Sequence, residues 1–296
     1  MNRSWMFVLA ASLLAAPASS QTLDASAELM RTLTEAPGPS AFEESVREIV
    51  VREFEDLGAD IRFDGLGSVL ATVPGGAGGP VVMVTAHLDE VGLMVQYITP
   101  DGFIRVKALG GWLRQALPDQ RWTILGSDGP VMGISGIRPV HVTPAAQRER
   151  VWALEEIFLD VGATSRDEVE AMGVRPGDGI APLSDFAVLA NERYAAKAWD
   201  DRVGLAVMLV AARRIRDEGI QVPSEVVWVA TTQEEIGLRG AQTAVALAEP
   251  EIGISIEAGV AADFPGIGPT QAQERLGGGP GMFLLDSSMI PNRKFR

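Results

Sequence analysis

The run Pro80-Val-Val-Met-Val-Thr-Ala-His87 constrains this chain more than any other stretch. It is apolar and β-branched almost throughout, so it reads as a strand buried on both faces and ending at His87. Val226–Thr232 has the same texture, and shorter apolar runs lie at 68–73, Gly253–Ile256 and Met282–Leu285. Between them come segments of helical spacing. Phe42, Val46, Ile49, Val50, Phe54 and Leu57 predict a helix within 40–57, with Ser40 as N-cap and Gly58 as stop. Val203, Val207, Val210 and Ala211 line one face of a helix over Val203–Arg216, and Gly240–Leu247 predicts a shorter one. Strands alternating with helices predict an α/β fold, a mostly parallel sheet with helices on both faces.

That texture breaks between about 94 and 190. Short alternating strands (YITPDGFIRVKALGG, RWTILG, VMGISGI) are cut by Gly, Pro and Asp, and a single short helix, Ser165–Met172, has Ser165 and Glu168 in capping-box spacing. The expected organisation is a first catalytic α/β part at 21–93, an inserted β-rich domain at 94–190, and a second α/β part at 191–296. The Gly-rich loops at 75–79 and 277–281 lack the G-x-G-x-x-G and G-x-x-x-x-G-K frames, so they read as turns.

Residues 1–20 read as an address. Arg3 is the single charge, Trp5–Ala16 is almost wholly apolar, and Ala16-Pro-Ala-Ser-Ser20 offers small residues for cleavage between Ala18 and Gln21. The apolar core is 12 residues long, short of the roughly 20 a spanning helix needs. The expectation is a secretory signal, a secreted or periplasmic product, and no membrane association after cleavage.

Composition narrows the chemistry. The 25 Lys+Arg against 39 Asp+Glu give a net charge of −14. With no basic cluster, the chain is a poor match for a nucleic-acid backbone. It has no cysteine, which removes thiolate zinc sites, Fe–S clusters, disulfides and cysteine nucleophiles. It also lacks the G-x-S-x-G elbow of a serine hydrolase.

What remains is carboxylate chemistry around one histidine. Thr85-Ala-His-Leu-Asp-Glu90, Thr231-Thr-Gln-Glu-Glu235 and Ile254-Ser-Ile-Glu257 end or follow strands, and Ala198-Trp-Asp-Asp-Arg202 opens a helix. Strand ends are where α/β sheets bind ligands. Each segment alone has an ordinary structural reading, as a hydrogen-bonded histidine or as helix-capping acids. Together they place costly charge beside buried strands, and a divalent cation compensates for it. One His with several carboxylates suits Zn2+, Co2+ or Mn2+. His141, in IRPVHVTP of the β-rich stretch, reads as structural.

These segments, in this order, resemble the M42 family of metallo-aminopeptidases, which includes tetrahedral and glutamyl aminopeptidases and proteins labelled cellulase M. The likeness runs from about Leu33 to the last residue. It includes Pro37-Gly-Pro-Ser-Ala-Phe-Glu43, His87-Leu-Asp-Glu-Val-Gly92, Leu109-Gly-Gly-Trp112, Arg138-Pro-Val-His141, Asp160-Val-Gly-Ala-Thr-Ser165, Trp199-Asp-Asp-Arg-Val-Gly204, Gln233-Glu-Glu-Ile-Gly-Leu-Arg-Gly-Ala241 and Ala262-Asp-Phe-Pro-Gly266.

The resemblance implies two divalent metal ions. His87 and Glu257 bind the first, Asp200 bridges both, and Glu235 binds the second. Glu234 acts as general base, and Asp89 fixes the His87 imidazole. It also implies a cis Asp200–Asp201 peptide, peptide substrates, and a homo-oligomer in which the β-rich part builds dimers and the dimers a dodecamer.

Two departures follow. Glu257 stands where the family usually has Asp. The chain stops at Phe295-Arg296 with no histidine after His141, where the family supplies a further second-metal histidine. The expectation is therefore a C-terminally shortened chain. A non-catalytic metal-binding remnant and a glycoside hydrolase are the alternatives, the second disfavoured because Glu234 and Glu235 are adjacent and cannot flank a sugar bond.

Overall fold

The computed structural model describes residues 23–74, 78–268, 270–271, 274–286 and 289–295. The signal-type segment Met1–Ser20 and part of the 75–79 loop lie outside them. Asp24 opens the fold by accepting the Ala27 N–H at 2.8 Å, capping α1 (Ala25–Glu35). Then come α2 (Glu44–Glu55), β1 (Asp60–Phe63), β2 (Val69–Thr72) and β3 (Val82–His87). Ser40 does not cap α2. The N-cap position is Glu43, and the Ser40 hydroxyl donates instead to the Asp89 carboxylate, which is buried and needs a donor. Gly58 stops the segment as expected, at φ +70°.

The chain next builds β4 (Gly92–Ile98), β5 (Ile104–Leu109), β6 (Arg121–Gly126), β7 (Gly129–Gly136), β8 (Phe158–Asp160), α3 (Arg166–Ala171) and β9 (Gly179–Pro182). Ser165 caps α3, accepting the Glu168 N–H. The six strands close into a barrel in the order β4-β5-β8-β7-β6-β9. Its interior is filled by Leu93, Val106, Trp122, Ile124, Leu159 and Ile180 among others, so it is a packed core without a channel.

A small hairpin, β10 (Ala187–Leu189) and β11 (Arg193–Ala195), leads to α4 (Trp199–Asp217), β12 (Val226–Thr231), α5 (Arg239–Ala248) and β13 (Ile252–Ser255). The main sheet has the order β1-β2-β12-β3-β13. It is mixed, not mostly parallel. β3 pairs parallel with β12 and β13, whereas β2 pairs antiparallel with β1 and β12. The reason lies in the β1–β2 link. Asp64 accepts the N–H groups of Leu66, Gly67 and Ser68, and so tight a turn can only return the chain antiparallel.

Helices cover both faces. On one, Leu33, Val46, Phe54, Met208 and Leu209 meet Val84, Trp228 and Ala230. On the other, Ala244 and Ala248 of α5 meet Met83, Val227 and Val229. Val227 and Val229 face one helical layer and Trp228 and Ala230 the other, which explains why β12 carries no polar residue before Thr231. Met282–Leu285 forms no strand. Its side chains are exposed and it pairs with no described strand. The 277–281 loop is turn and irregular backbone.

Candidate metal centre

The parallel pairing of β3 with β12 and β13 puts the ends of three strands at one edge of the sheet, and the candidate residues follow those ends. His87 is the last residue of β3 and is buried. Its Nε2 lies 2.9 Å from Asp200 Oδ1, 3.5 Å from Glu257 Oε1 and 3.9 Å from Glu234 Oε2. Its Nδ1 lies 2.9 Å from the Asp89 main-chain oxygen and 3.5 Å from that residue's carboxylate. The imidazole is thus held on the Nδ1 side by a backbone acceptor, leaving Nε2 aimed at the acids.

The Asp89 carboxylate is fully buried and has other partners. Oδ2 accepts from the Ser40 hydroxyl at 2.5 Å and from the Glu235 N–H at 3.1 Å, while Oδ1 accepts from the Glu234 N–H at 2.9 Å. Burial opposes its ionisation, but His87 and these donors hold its pKa below the usual value.

Asp200 and Asp201 open α4, and the peptide between them is cis. The two side chains part company. Asp200 faces His87 and is mostly exposed. Asp201 is buried, accepting the N–H groups of His87 at 3.2 Å and Gly204 at 3.1 Å.

The acids crowd one another. Burial first, then the Glu257 charge, pushes Asp201 up to about 8. Burial, then Asp200, pushes Glu235 up to about 7. Burial also raises Glu234, with Glu257, Asp89 and Asp200 adding to it. His87 is buried, which disfavours its charge, yet hydrogen bonds to Asp200, Asp89 and Glu257 raise it well above the usual imidazole value.

This is a site with more negative charge than its one imidazole can balance. His87, Glu234 and Glu235 offer donor atoms all within 4.8 Å of one another, and so do His87, Asp201 and Glu257. Carboxylate oxygens with one imidazole nitrogen fit divalent cations of the Zn2+, Co2+ or Mn2+ type.

All six residues singled out from sequence, His87, Asp89, Asp200, Glu234, Glu235 and Glu257, meet here. Asp201, expected from sequence only to share a cis peptide with Asp200, also reaches the cluster. Ser40 and Glu43 belong to the Pro37–Glu43 segment but carried no role beyond helix capping. The buried Glu43 carboxylate accepts the Gln233 N–H at 3.1 Å. His141 is exposed on a turn between β7 and β8 and takes no part in the cluster.

A cleft of about 820 Å3 opens beside Glu257. Trp199, Arg193, Tyr194 and Phe283 are among its walls. Behind the site, Glu90 ties two buried cations, with Lys197 Nζ at 2.6 Å and Arg202 Nη2 at 3.7 Å.

The family described as M42 glutamyl aminopeptidase matches residues 67–296. Lysyl aminopeptidase of Pyrococcus furiosus (strain ATCC 43587 / DSM 3638 / JCM 8422 / Vc1) is 38% identical over 234 residues, covering 78% of this chain and 65% of its own length. The TET aminopeptidase of the marine sediment archaeon Thaumarchaeota archaeon SCGC AB-539-E09 superposes with a TM-score of 0.88 at 41% identity, over 91% of this chain and 75% of that one. The TET1 peptidase of Pyrococcus horikoshii, described as able to assemble into a tetrahedron or a large octahedral shell, superposes with a TM-score of 0.71 at 28% identity, over 78% and 68%. Fold, donor set and relatives together define a metallo-aminopeptidase of the hydrolase class. The chain belongs to the M42 aminopeptidase family.

Proposed function

We propose that this protein removes N-terminal residues from peptides at the His87 cluster, with two divalent cations, Zn2+, Co2+ or Mn2+, as its cofactor. The observation that carries this reading is the convergence of Asp200, Glu234 and Glu257 on His87 Nε2, at 2.9, 3.9 and 3.5 Å. His87, Asp200 and Glu257 would hold one cation, Glu235 with Asp200 the other, and Asp201 stands close enough to His87 and Glu257 to contribute. Bound there, the cations would supply Lewis acidity to a peptide carbonyl and ease deprotonation of a water.

The chain's own part is proton handling and placement. The raised pKa of Glu234 suits a group that takes a proton and gives it to a leaving amine. The cleft beside Glu257 offers the peptide a route in, with Trp199 and Tyr194 as its aromatic walls. A glycosidase is not favoured. Glu234 and Glu235 are held side by side by the same Asp89 carboxylate, so they cannot stand on opposite faces of a sugar. A non-catalytic remnant is not favoured either, since the general-base candidate and the cation donors sit together.

The decisive experiment is release of amino acids from peptide amides before and after chelation. Turnover that persists after complete cation removal sinks the reading, and recovery on adding Zn2+, Co2+ or Mn2+ supports it.

Homo-oligomers, from a dimer to a dodecamer, are supported by the TET1 relative and by exposed Leu113, Met132, Ile134, Val140 and Val142 in the barrel part. Light scattering coupled to size exclusion tests this, and a monomer at micromolar concentration counts against it. Export is supported by the Met1–Ser20 pattern. N-terminal sequencing of protein recovered outside the cytoplasm tests it.

A further inference from the structure

The Gln233–Glu235 turn is held in an unusual way. Three consecutive backbone N–H groups are taken by two buried carboxylates from distant segments. Gln233 donates to Glu43 Oε1 at 3.1 Å, Glu234 to Asp89 Oδ1 at 2.9 Å, and Glu235 to Asp89 Oδ2 at 3.1 Å. Both carboxylates are themselves fixed from the Pro37–Glu43 segment. Ser40 donates to Asp89 Oδ2 at 2.5 Å, and the Ala41 N–H donates to Glu43 Oε1 at 2.8 Å. Arg47 reaches the other Glu43 oxygen at 3.5 Å.

That segment is in turn tied to the strand end that carries Asp89. Gly38 N–H donates to Glu90 Oε1 at 3.1 Å, the Glu90 N–H donates to the Gly38 carbonyl at 3.0 Å, and Pro39 bridges Glu90 in parallel. Gly38 permits this closeness, because a Cβ there would stand 2.8 Å from the buried Arg202 guanidinium and 2.9 Å from Val46.

We infer that Ser40 and Glu43 are positioning residues that set the backbone of Glu234 and Glu235, and through it the aim of their carboxylates. Neither touches the reacting atoms. Ser40 orients Asp89, which grips two of the amides, and Glu43 grips the third. A buried carboxylate accepting main-chain N–H groups is a strong, directional anchor. Gln233 stands at φ +54°, and the turn lies between β12 and α5 with no helix or strand ladder of its own to hold it. The kinetic part of this inference rests on the aminopeptidase reading, whereas the anchoring part does not.

The test uses the whole chain and four variants, Ser40→Ala, Glu43→Ala, Glu43→Gln and Glu43→Met. Amide hydrogen exchange at Gln233, Glu234 and Glu235 is read by NMR. Glu43→Ala is expected to speed exchange at Gln233, and Ser40→Ala at Glu234 and Glu235, by ~10-fold or more relative to amides of β12. Glu43→Gln keeps an acceptor oxygen and should leave exchange unchanged. Glu43→Met keeps the volume without the acceptor and replaces the alanine variant should that one fail to fold.

On a peptide amide with cations present, the alanine variants should lose ~10- to 100-fold in kcat with KM held, and Glu43→Gln should recover most of that loss. Unchanged exchange in Glu43→Ala or Glu43→Met and in Ser40→Ala overturns the inference. So does a Glu43→Gln as impaired as Glu43→Ala, and so does faster exchange with kcat intact. An unsubstituted protein that hydrolyses nothing counts against the aminopeptidase reading, and the exchange result then decides the anchoring by itself.

Discussion

The Nδ1 of His87 meets the main-chain oxygen of Asp89 at 2.9 Å, while the Asp89 carboxylate stands off at 3.5 Å. The residue expected to orient the imidazole through its side chain does so mainly through its backbone. Its carboxylate is left to hold the Glu234–Glu235 turn.

Asp89→Asn should therefore act through the turn and not through the histidine. An amide offers one acceptor oxygen where the carboxylate serves three donors, so either the Glu234 or the Glu235 N–H loses its partner. We expect ~10- to 100-fold loss in kcat/KM. The imidazole, still held by the backbone, should keep its NMR tautomer signature. A changed tautomer would reverse this assignment.

Glu234→Gln should separate chemistry from cation binding. The side chain keeps its size and one oxygen but can no longer accept the proton. A fall of ~10²- to 10⁴-fold in kcat is expected, with cation content by elemental analysis equal to that of the unsubstituted protein. Turnover within a few-fold of the original would remove Glu234 from the general-base role.

The cation-free protein should lose stability as pH rises. Glu235 and Asp201 titrate at about 7 and about 8 in the fold, against ~4 in an unfolded chain. A raised carboxyl pKa contributes stability that is full below the unfolded value and is lost as pH climbs through the folded one. His87, raised above the ordinary imidazole value, is lost in the same direction. Melting of chelated protein should therefore fall between about pH 5 and about pH 8. Added cation binds the ionised forms and should restore more stability at the upper end. A melting temperature that rises over this range without cation contradicts the crowding described above.

Glu90→Gln should be strongly destabilising. Glu90 is the counter-charge of both Lys197 and Arg202, all three buried. Removing it strands two cations away from water, at a cost of ~3–5 kcal/mol. Urea unfolding measures this, and a loss under about 1 kcal/mol would mean that water reaches these groups.

Much of this was legible in the sequence because burial leaves a plain signature. The β-branched runs before His87 and Thr232 lie in β3 and β12, which have no solvent face to decorate with polar residues. The candidate site residues were legible because each ends, follows or opens a strand or helix of the α/β part. The antiparallel β1–β2 edge was not, since direction is set by a short turn around Asp64 and not by side-chain pattern. Met282–Leu285 misled because apolar residues with no paired neighbour look, in sequence, like a strand. Ser40 and Asp201 were underread for a common reason. A short polar residue before a helix is usually a cap, and only the fold reveals that Ser40 turns to Asp89 and that Asp201 reaches back to the His87 amide.

The barrel separates His87 from Asp200 by 113 positions along the chain. A ribosome working at ~5–20 residues per second adds about 6–23 s between making His87 and making Asp200. Until then the imidazole has no acidic company from the later part of the chain. His87 thus gains these acidic neighbours only after the intervening strands have been translated.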